Sequence, residues 1–492
     1  MRARRATEGK KRMEDMILIL NYSNEFSMEM ARRLRAEHVC AKIVGGDVTA
    51  QQVRALSPKG LILSGEAKGS AASLDEEILK LGIPVLAMGH TAKMLLSCMG
   101  GAGADAALEE KKAAVEYGES ELFAEIADGE RYIKLAYTLM LPPDVREIAS
   151  AGGCTIAFEH MESKLYGVQF ELERNDPEGT AILFNFAQRI CACSEWWTTE
   201  RALEQAQETL EQAARQGGYA ICAVSGGVDS TVAAYMAHRA FGDRMTAIFV
   251  DTGLMRSGEV ESIRAAFEEL GIPLQIVDRS GEILEKLAHR QSNEEKRAVV
   301  VSSIDEAMLR QSDAIDGEKT LVLGTNYSDW LDSGSAESKW SERGLAVVEP
   351  LLHMLKHEVR ELAQQLGMSA QIVDRKPFPA LGLGARIVGE VTGERLCALR
   401  MAEVFFREEI AEAGLERKLY KYFPVLIGND SMAGREMMIL RAVTLSGGQL
   451  VPARLPYDLI ERTVQRIMTQ SPAITRVFYD QTPTPIEKES FT

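Results

Sequence analysis

YAICAVSGGVDST, residues 219–231, is the stretch from which the rest of the chain can be read. YAICAV is apolar and β-prone, as a buried strand should be, and TVAAYMAHRAF after the loop has the spacing of a helix. Between them Gly226 and Gly227 let the backbone turn sharply and approach a ligand without Cβ clashes. Backbone N–H groups of the turn and of the following helix N-terminus then face an anion. Ser225 and Ser230 add hydroxyl donors, Val228 opens the helix, and Asp229 is placed to hold Mg²⁺ against phosphates. No Gly-Lys-Ser/Thr follows, so this is not a Walker A loop. A lone Gly-Gly would be only a strand-to-helix junction; the hexapeptide in this setting reads as a pyrophosphate-cradling ATP loop of an adenylating enzyme.

Outward from the loop, RMTAIFVD (244–251), PLQIVD (273–278) and TLVLGT (320–325) continue an α/β pattern. Asp251 and Thr325 fall at strand C-termini, the edge where open α/β sheets bind ligands. Asp329 and Asp332 can supplement metal or nucleotide binding, although a loop carboxylate by itself is ordinarily just solvated. Toward the N-terminus, MILILNY (16–22), GLILSG (60–65), IPVLAMG (83–89), CTIAFEH (154–160) and KLYGVQFELE (164–173) read as strands. Helical patterns at 25–38 and 178–190 alternate with them, predicting a central, largely parallel sheet. A polar helix then runs to Gly217 and Gly218. From Lys376 a Gly- and Pro-rich joint leads into one helix (394–414) and short strands, a small α+β domain. The expected division is a tail at 1–14 and domains at 15–195, 196–375 and 376–492.

The formal net charge of −16 disfavours a nucleic-acid surface, because phosphate contacts need clustered Lys and Arg. No apolar run approaches the ~20 residues of a membrane helix, and the basic start lacks the apolar stretch of a signal peptide. Seven scattered cysteines suit reduced thiols and a cytoplasmic location. Cys191 and Cys193 lack a second ligand pair nearby and are not read as a zinc site.

On these residues the chain resembles the GMP synthase family, from about residue 15 to the end. After SGGVDS come FVDTGLMRSGE, NEEKR (293–297), GTNYSDWLDSG, VVEPLLHMLKHEVR and KPFPALGLGARIVGEV, in the family's order. The resemblance implies a class I glutaminase-like α/β domain, a PP-loop ATP-pyrophosphatase domain and a C-terminal α+β dimerisation domain. It implies ATP and Mg²⁺ as cofactors, XMP or a related nucleotide as substrate, and a homodimer. Asp229 and Ser230 become catalytic, Asp229 and Asp329 metal-binding, and Val250, Gly324 and Thr325 join the loop in holding ATP. Arg297, Lys356, Arg386, Arg441, Ile486 and Glu487 become the acceptor-binding set, although Arg386 and Arg441 suit structural ion pairs equally well.

Two regions depart from the family. Gly89 stands at the position of the glutaminase Cys nucleophile, Glu171 at that of the catalytic His, and Glu173 keeps a carboxylate. Glu66 replaces a Gly of the oxyanion turn. Without nucleophile and base a thioester mechanism cannot run, and His90, one place along, is read as incidental. Glutamine hydrolysis is therefore expected to be lost, with free ammonia or a separate glutaminase supplying nitrogen. On the acceptor side, SAESKWSERGLA (335–346) lacks the family's His-rich lid, Ala380 and Leu381 replace Gly and Pro, and the C-terminal QTPTPIEKES lacks the Lys facing the nucleotide phosphate. Three readings follow: an ammonia-using ligase acting on XMP, the same adenylation with another oxo-purine or carbonyl acceptor, or a non-catalytic nucleotide-binding homologue.

Overall fold

The structure is a computed structural model; its described residues are 15–22, 24–64, 74–169, 177–194, 197–333, 337–375, 378, 381–428, 435–446 and 449–482. The chain divides into two compact units, Met1–Ala202 and Leu203–Thr492.

Among the described residues, the first unit is built on nine strands: β1 (Ile17–Asn21), β2 (Ala41–Gly45), β3 (Gly60–Ser64), β4 (Val85–Met88), β5 (Ala102–Tyr117), β6 (Gly129–Met140), β7 (Arg146–Ala151), β8 (Cys154–His160) and β9 (Leu165–Val168). They form one sheet in the order β2-β1-β3-β4-β9-β8-β7-β5-β6. The expectation of a largely parallel sheet holds for β2 through β9 only; β8, β7, β5 and β6 are joined antiparallel. The parallel strands are buried apolar runs, ILIL in β1 and VLAM in β4, as strands covered on both faces must be. The β5–β6 hairpin has no such run.

In the second unit, β10 (Tyr219–Val224), β11 (Met245–Asp251), β12 (Leu274–Asp278), β13 (Lys319–Val322) and β14 (Ala346–Val348) form an all-parallel sheet in the order β12-β11-β10-β13-β14. The chain builds outward from β10 to β12, then crosses to β13 on the other side. The strand order therefore reverses between β10 and β13, and the crevice at their C-terminal ends is a switch point. A third sheet contains β15 (Ile387–Val388), β16 (Lys421–Gly428), β17 (Glu436–Ser446), β18 (Gln449–Pro452) and β19 (Ile474–Asp480), with the helices Gly393–Glu412 and Tyr457–Gln470 packed around it.

The loop after β11 ties these two sheets together. Leu254 is buried in the core around the third sheet, with Leu383, Leu399 and Phe406. Leu383 N–H donates to Leu254 O at 2.8 Å, and Arg400 donates to Met255 O at 2.9 Å. From SAESKWSERGLA, the stretch that lacks the family's His-rich lid, Trp340 packs into the core of the parallel sheet.

Candidate functional site

The helix after β10 runs Val228–Phe241, with Gly227 as an N-cap that makes no side-chain bond. Its first-turn N–H groups thus have no intrahelical acceptor and point into the crevice. Gly226 holds φ +83, and a Cβ there would lie 2.5 Å from Ile263 Cδ1. Gly324 is the second obligatory glycine. Its Cβ would meet Ser230 Cα at 2.5 Å and Ser230 N at 2.6 Å. Only glycine lets the exit of β13 lie directly against the start of that helix. Inside the loop, Ser230 Oγ donates to Gly227 O at 3.1 Å and accepts from Ser225 N at 3.2 Å, with Ser225 Oγ 3.2 Å away. The Ser230 hydroxyl thus braces the loop, and Thr231 Oγ1 braces it too through Gly227 O at 2.9 Å.

These residues open on a cavity of about 510 Å³ lined by Ser225, Gly226, Gly227, Asp229, Ser230, Val250, Gly324, Thr325, Asp329 and Lys356, among others. Its floor is apolar, with Ile248, Phe249, Ile304, Met308 and Leu323. That combination, an apolar lining beside backbone donors and cations, suits a purine nucleotide with its phosphates at the loop. Ile304 and Met308 escaped the sequence reading; their signal was an apolar i,i+4 pair in the helix Asn293–Asp313.

Asp229 is buried, and the Lys356 ammonium is in direct contact with its Oδ2. Asp229 Oδ1 is buried with no hydrogen-bond partner. Asp329 lines the same cavity, and its Oδ2 accepts Asn326 N–H at 3.2 Å. Asn326 in turn caps the short helix Tyr327–Ser333, which also carries Asp332. No cluster of three or more metal-ligating side chains occurs among the described residues. One orphaned carboxylate oxygen, with phosphates supplying further oxygens, is the donor set Mg²⁺ takes in nucleotide sites. The residues present therefore fit that ion. Asp251 ends β11, and its Oδ1 accepts Gly253 N–H at 2.9 Å, so it shapes the following turn; it does not line the nucleotide cavity.

Among the described residues, those expected to bind the acceptor do not line one common cavity. Lys356 stands on the nucleotide cavity. Arg297 is exposed on the helix Asn293–Asp313. Arg441 is buried against Asp480 in an ion pair. Arg386 is 1% exposed, reaches Glu403 at 3.2 Å and lines a second, larger cavity beside the first. Ile486, Glu487 and Ala380 lie outside the described residues, while Leu381 is buried in the core.

In the first unit, Gly89 sits between β4 and the helix His90–Cys98 with φ 55 and ψ −120. A Cβ added there meets nothing within 4 Å. This is the sharp strand-to-helix turn on which nucleophiles are mounted, kept in shape and bare of a nucleophile. His90 Nδ1 is engaged by the Tyr137 hydroxyl at 2.8 Å. Glu66, Glu171 and Glu173 lie outside the described residues. Burial pushes the Cys193 thiol up to about 12 and raises that of Cys191 as well, which opposes the thiolate a metal would need.

No described helix is long and apolar enough to cross a membrane. Comparison with known proteins agrees with this architecture. The NAD synthase family model matches residues 202–388, which include the loop and its cavity. The GMP synthase [glutamine-hydrolyzing] of Bacillus cereus strain B4264 is 33% identical over 96% of this chain and 98% of its own length. Those of Bacillus thuringiensis subsp. konkukian and Bacillus anthracis show the same identity and the same coverage of both chains. With a relationship that runs almost end to end, through both units and both sheets of the second, the chain belongs to the GMP synthase family.

Proposed function

We propose that the protein is an ATP-dependent ligase that adenylates the 2-oxo group of XMP and aminates it with ammonia, giving GMP, AMP and pyrophosphate. The observation that carries this reading is the pyrophosphate loop, with its first-turn N–H groups and the orphaned Asp229 Oδ1 turned to one nucleotide-sized cavity. The acceptor oxygen attacks the α-phosphorus, the bond to the bridging oxygen breaks, and pyrophosphate leaves with the electron pair. Ammonia then adds at the adenylated carbon, the carbon–oxygen bond to AMP breaks, AMP departs with that oxygen and the electron pair, and the surplus protons pass to solvent.

The chain's part is positioning and charge stabilisation. The apolar floor around Val250, Ile304 and Met308 clasps the adenine, and the loop N–H groups and the Lys356 ammonium face the departing pyrophosphate. Asp229, with Asp329 on the same cavity, would hold Mg²⁺, which would supply positive charge against the phosphates. Glutamine hydrolysis is absent on this reading, because Gly89 offers no nucleophile, so nitrogen arrives as free ammonia or from a separate glutaminase.

The dispersal of Arg297, Arg386 and Arg441 favours a second reading, with the same adenylation on a different oxo-purine. A cytoplasmic homodimer completes the proposal. Seven free thiols suit a reducing compartment, and the third sheet and its helices expose Leu445, Tyr457 and Phe478 as material for a subunit interface.

AMP and pyrophosphate release from ATP with ammonium, measured across XMP and a panel of oxo-purines, tests the reading. Turnover with XMP alone supports it, and turnover with another acceptor alone selects the second reading. No AMP with any acceptor, although ATP binds, overturns both. Glutamine as sole nitrogen source is expected to fail.

A further inference from the structure

Among the described residues, two cations line the nucleotide cavity, Lys356 and Arg375, against the carboxylates Asp229, Asp329 and Glu259. The Lys356 charge is already matched by Asp229. Arg375 has no part in the chemistry set out above, yet two separate segments combine to place it.

The helix Glu259–Glu269 turns one face to the pyrophosphate loop. Glu259 and Ile263, one turn apart, are neighbours on that face. Ile263 Cδ1 lies 2.5 Å from where a Cβ on Gly226 would stand, so Ile263 sits on the loop itself. Glu259 meets Arg375 Nη2 at 2.5 Å. Arg375 follows the short helix Ala370–Val373, and its Cζ stands 3.9 Å from the same Cβ position, in ordinary van der Waals range. A carboxylate from one segment thus fixes a guanidinium from another against the loop that faces the phosphates. Both side chains are largely buried, at 17% and 15% exposure.

A Glu–Arg pair of this kind is often only a brace, because desolvation offsets much of its attraction. Two observations give this one a further role. Among the described residues Glu259 is the only side-chain partner of Arg375, which leaves the other donors of its fork without a hydrogen bond on the cavity wall. The surroundings also bias the guanidinium toward the loop. Glu259 and Arg375 line the second cavity as well, a basic one that carries Arg256, Arg386 and Arg407. Phe378, stacked on Arg256 and Arg386 with 4.4 and 5.4 Å to its centroid, lines the first. Like charge on the second side and a carboxylate anchor leave the phosphates as the natural partner of the open donors.

We propose that Arg375 is a catalytic residue of the pyrophosphate-releasing step, with Glu259 as its positioning residue. The catalytic role rests on the ligase reading above; contact with pyrophosphate does not. As the acceptor oxygen attacks, the bond from the α-phosphorus to the bridging oxygen breaks, and its electron pair stays on pyrophosphate. Negative charge grows on the leaving group, and a guanidinium already fixed beside the loop stabilises that charge more than it stabilises bound ATP. Arg375 keeps its protons throughout.

Calorimetric titration of the full-length chain with inorganic pyrophosphate in Mg²⁺ buffer, and with AMP as the control probe, tests the contact in wild type, Arg375→Ala, Arg375→Lys and Glu259→Gln. Arg375→Ala is expected to weaken pyrophosphate about tenfold or more, to leave AMP affinity unchanged, and to lower kcat for AMP formation about 100-fold. Added guanidinium ion, below the concentrations that unfold the chain, should restore part of that kcat in Arg375→Ala and none in Glu259→Gln. Glu259→Gln keeps the guanidinium and should lose only about tenfold in kcat. Pyrophosphate affinity at the wild-type level in Arg375→Ala overturns the proposal, as does undetectable pyrophosphate binding by wild type. So does an equal loss of AMP and pyrophosphate affinity with a lowered melting temperature, the signature of a brace alone. If Arg375→Ala does not fold, Arg375→Lys decides, since lysine lacks the fork that holds Glu259 and a phosphate together. A clear loss of kcat there supports the assignment, and wild-type kcat overturns it. If pyrophosphate binding depends on Arg375 but wild type forms no AMP with any acceptor, the ligase reading falls and the contact stands. If AMP forms equally fast in wild type and Arg375→Ala, the catalytic role falls and the ligase reading stands.

Discussion

Asp229 meets Lys356 with one carboxylate oxygen and keeps the other buried and without a partner. Asp229→Asn should therefore lower kcat for AMP formation by about 100-fold or more, the scale on which preorganised charge acts, with thermal stability nearly unchanged. Lys356→Met leaves the carboxylate without its counter-charge. Lys356 is 35% exposed and Asp229 12%, so the loss should be about 1–2 kcal/mol, below that of a fully buried pair. Urea unfolding and steady-state kinetics on both variants check the two halves.

Gly324→Ala should be the most damaging single methyl in the second unit. It drives a Cβ into the backbone of Ser230 at 2.5 Å, where no side-chain rotation relieves it. Loss of ATP binding by more than tenfold and destabilisation of about 1–3 kcal/mol are expected. Gly226→Ala meets only the end of Ile263, so its cost is mainly the left-handed backbone, about 1–2 kcal/mol. Calorimetric ATP titration and thermal unfolding distinguish the two.

Much of this was legible beforehand, and the reason is periodicity. YAICAV, RMTAIFVD and the CTIAFEH stretch are apolar runs of strand length, and they stand as β10, β11 and β8. The β5 sequence AGADAALEEKKAAVEY offered the opposite signal, Ala, Glu and Lys in a helix-forming mixture. It becomes a strand through its pairing with β6 and β7, a tertiary context that local propensity does not carry. The loop at 225–230 and the crevice glycine Gly324 could be read because their chemistry is local. The second cavity could not, since Arg256, Arg386 and Arg417 come from separate segments and only folding assembles them.

Gly89→Cys should fold and remain inactive toward glutamine. A Cys at φ 55 carries strain of about 1–3 kcal/mol, visible as a lower melting temperature of the first unit. The added side chain has free space, so iodoacetamide should label it readily. Glutamate release from glutamine should stay at the wild-type level; a rise of several hundred-fold would show that a base is within reach.

Lys296 provides the pH prediction. It is fully buried and donates to Ile387 O at 2.6 Å. Burial, with Arg395 adding to it, pushes its ammonium down to about 8. The unfolded chain keeps that proton until about pH 10.4, so the charged form destabilises the fold fully below about pH 8. As pH rises from 8 toward 10.4 the penalty is relieved and stability increases. Relative to Lys296→Met, wild type should gain about 2 kcal/mol between pH 7 and 9.5 in urea unfolding.

Phe378 and the Glu259–Arg375 pair form a party wall between two cavities. Occupants of rooms that share such a wall are not thermodynamically independent when either one shifts it. Whatever factor a bound nucleotide applies to the affinity of the basic cavity, a ligand in that cavity must apply to the nucleotide in return. Substitutions at Phe378 would then register as a change in the interaction between two ligands, even where each ligand alone binds as before.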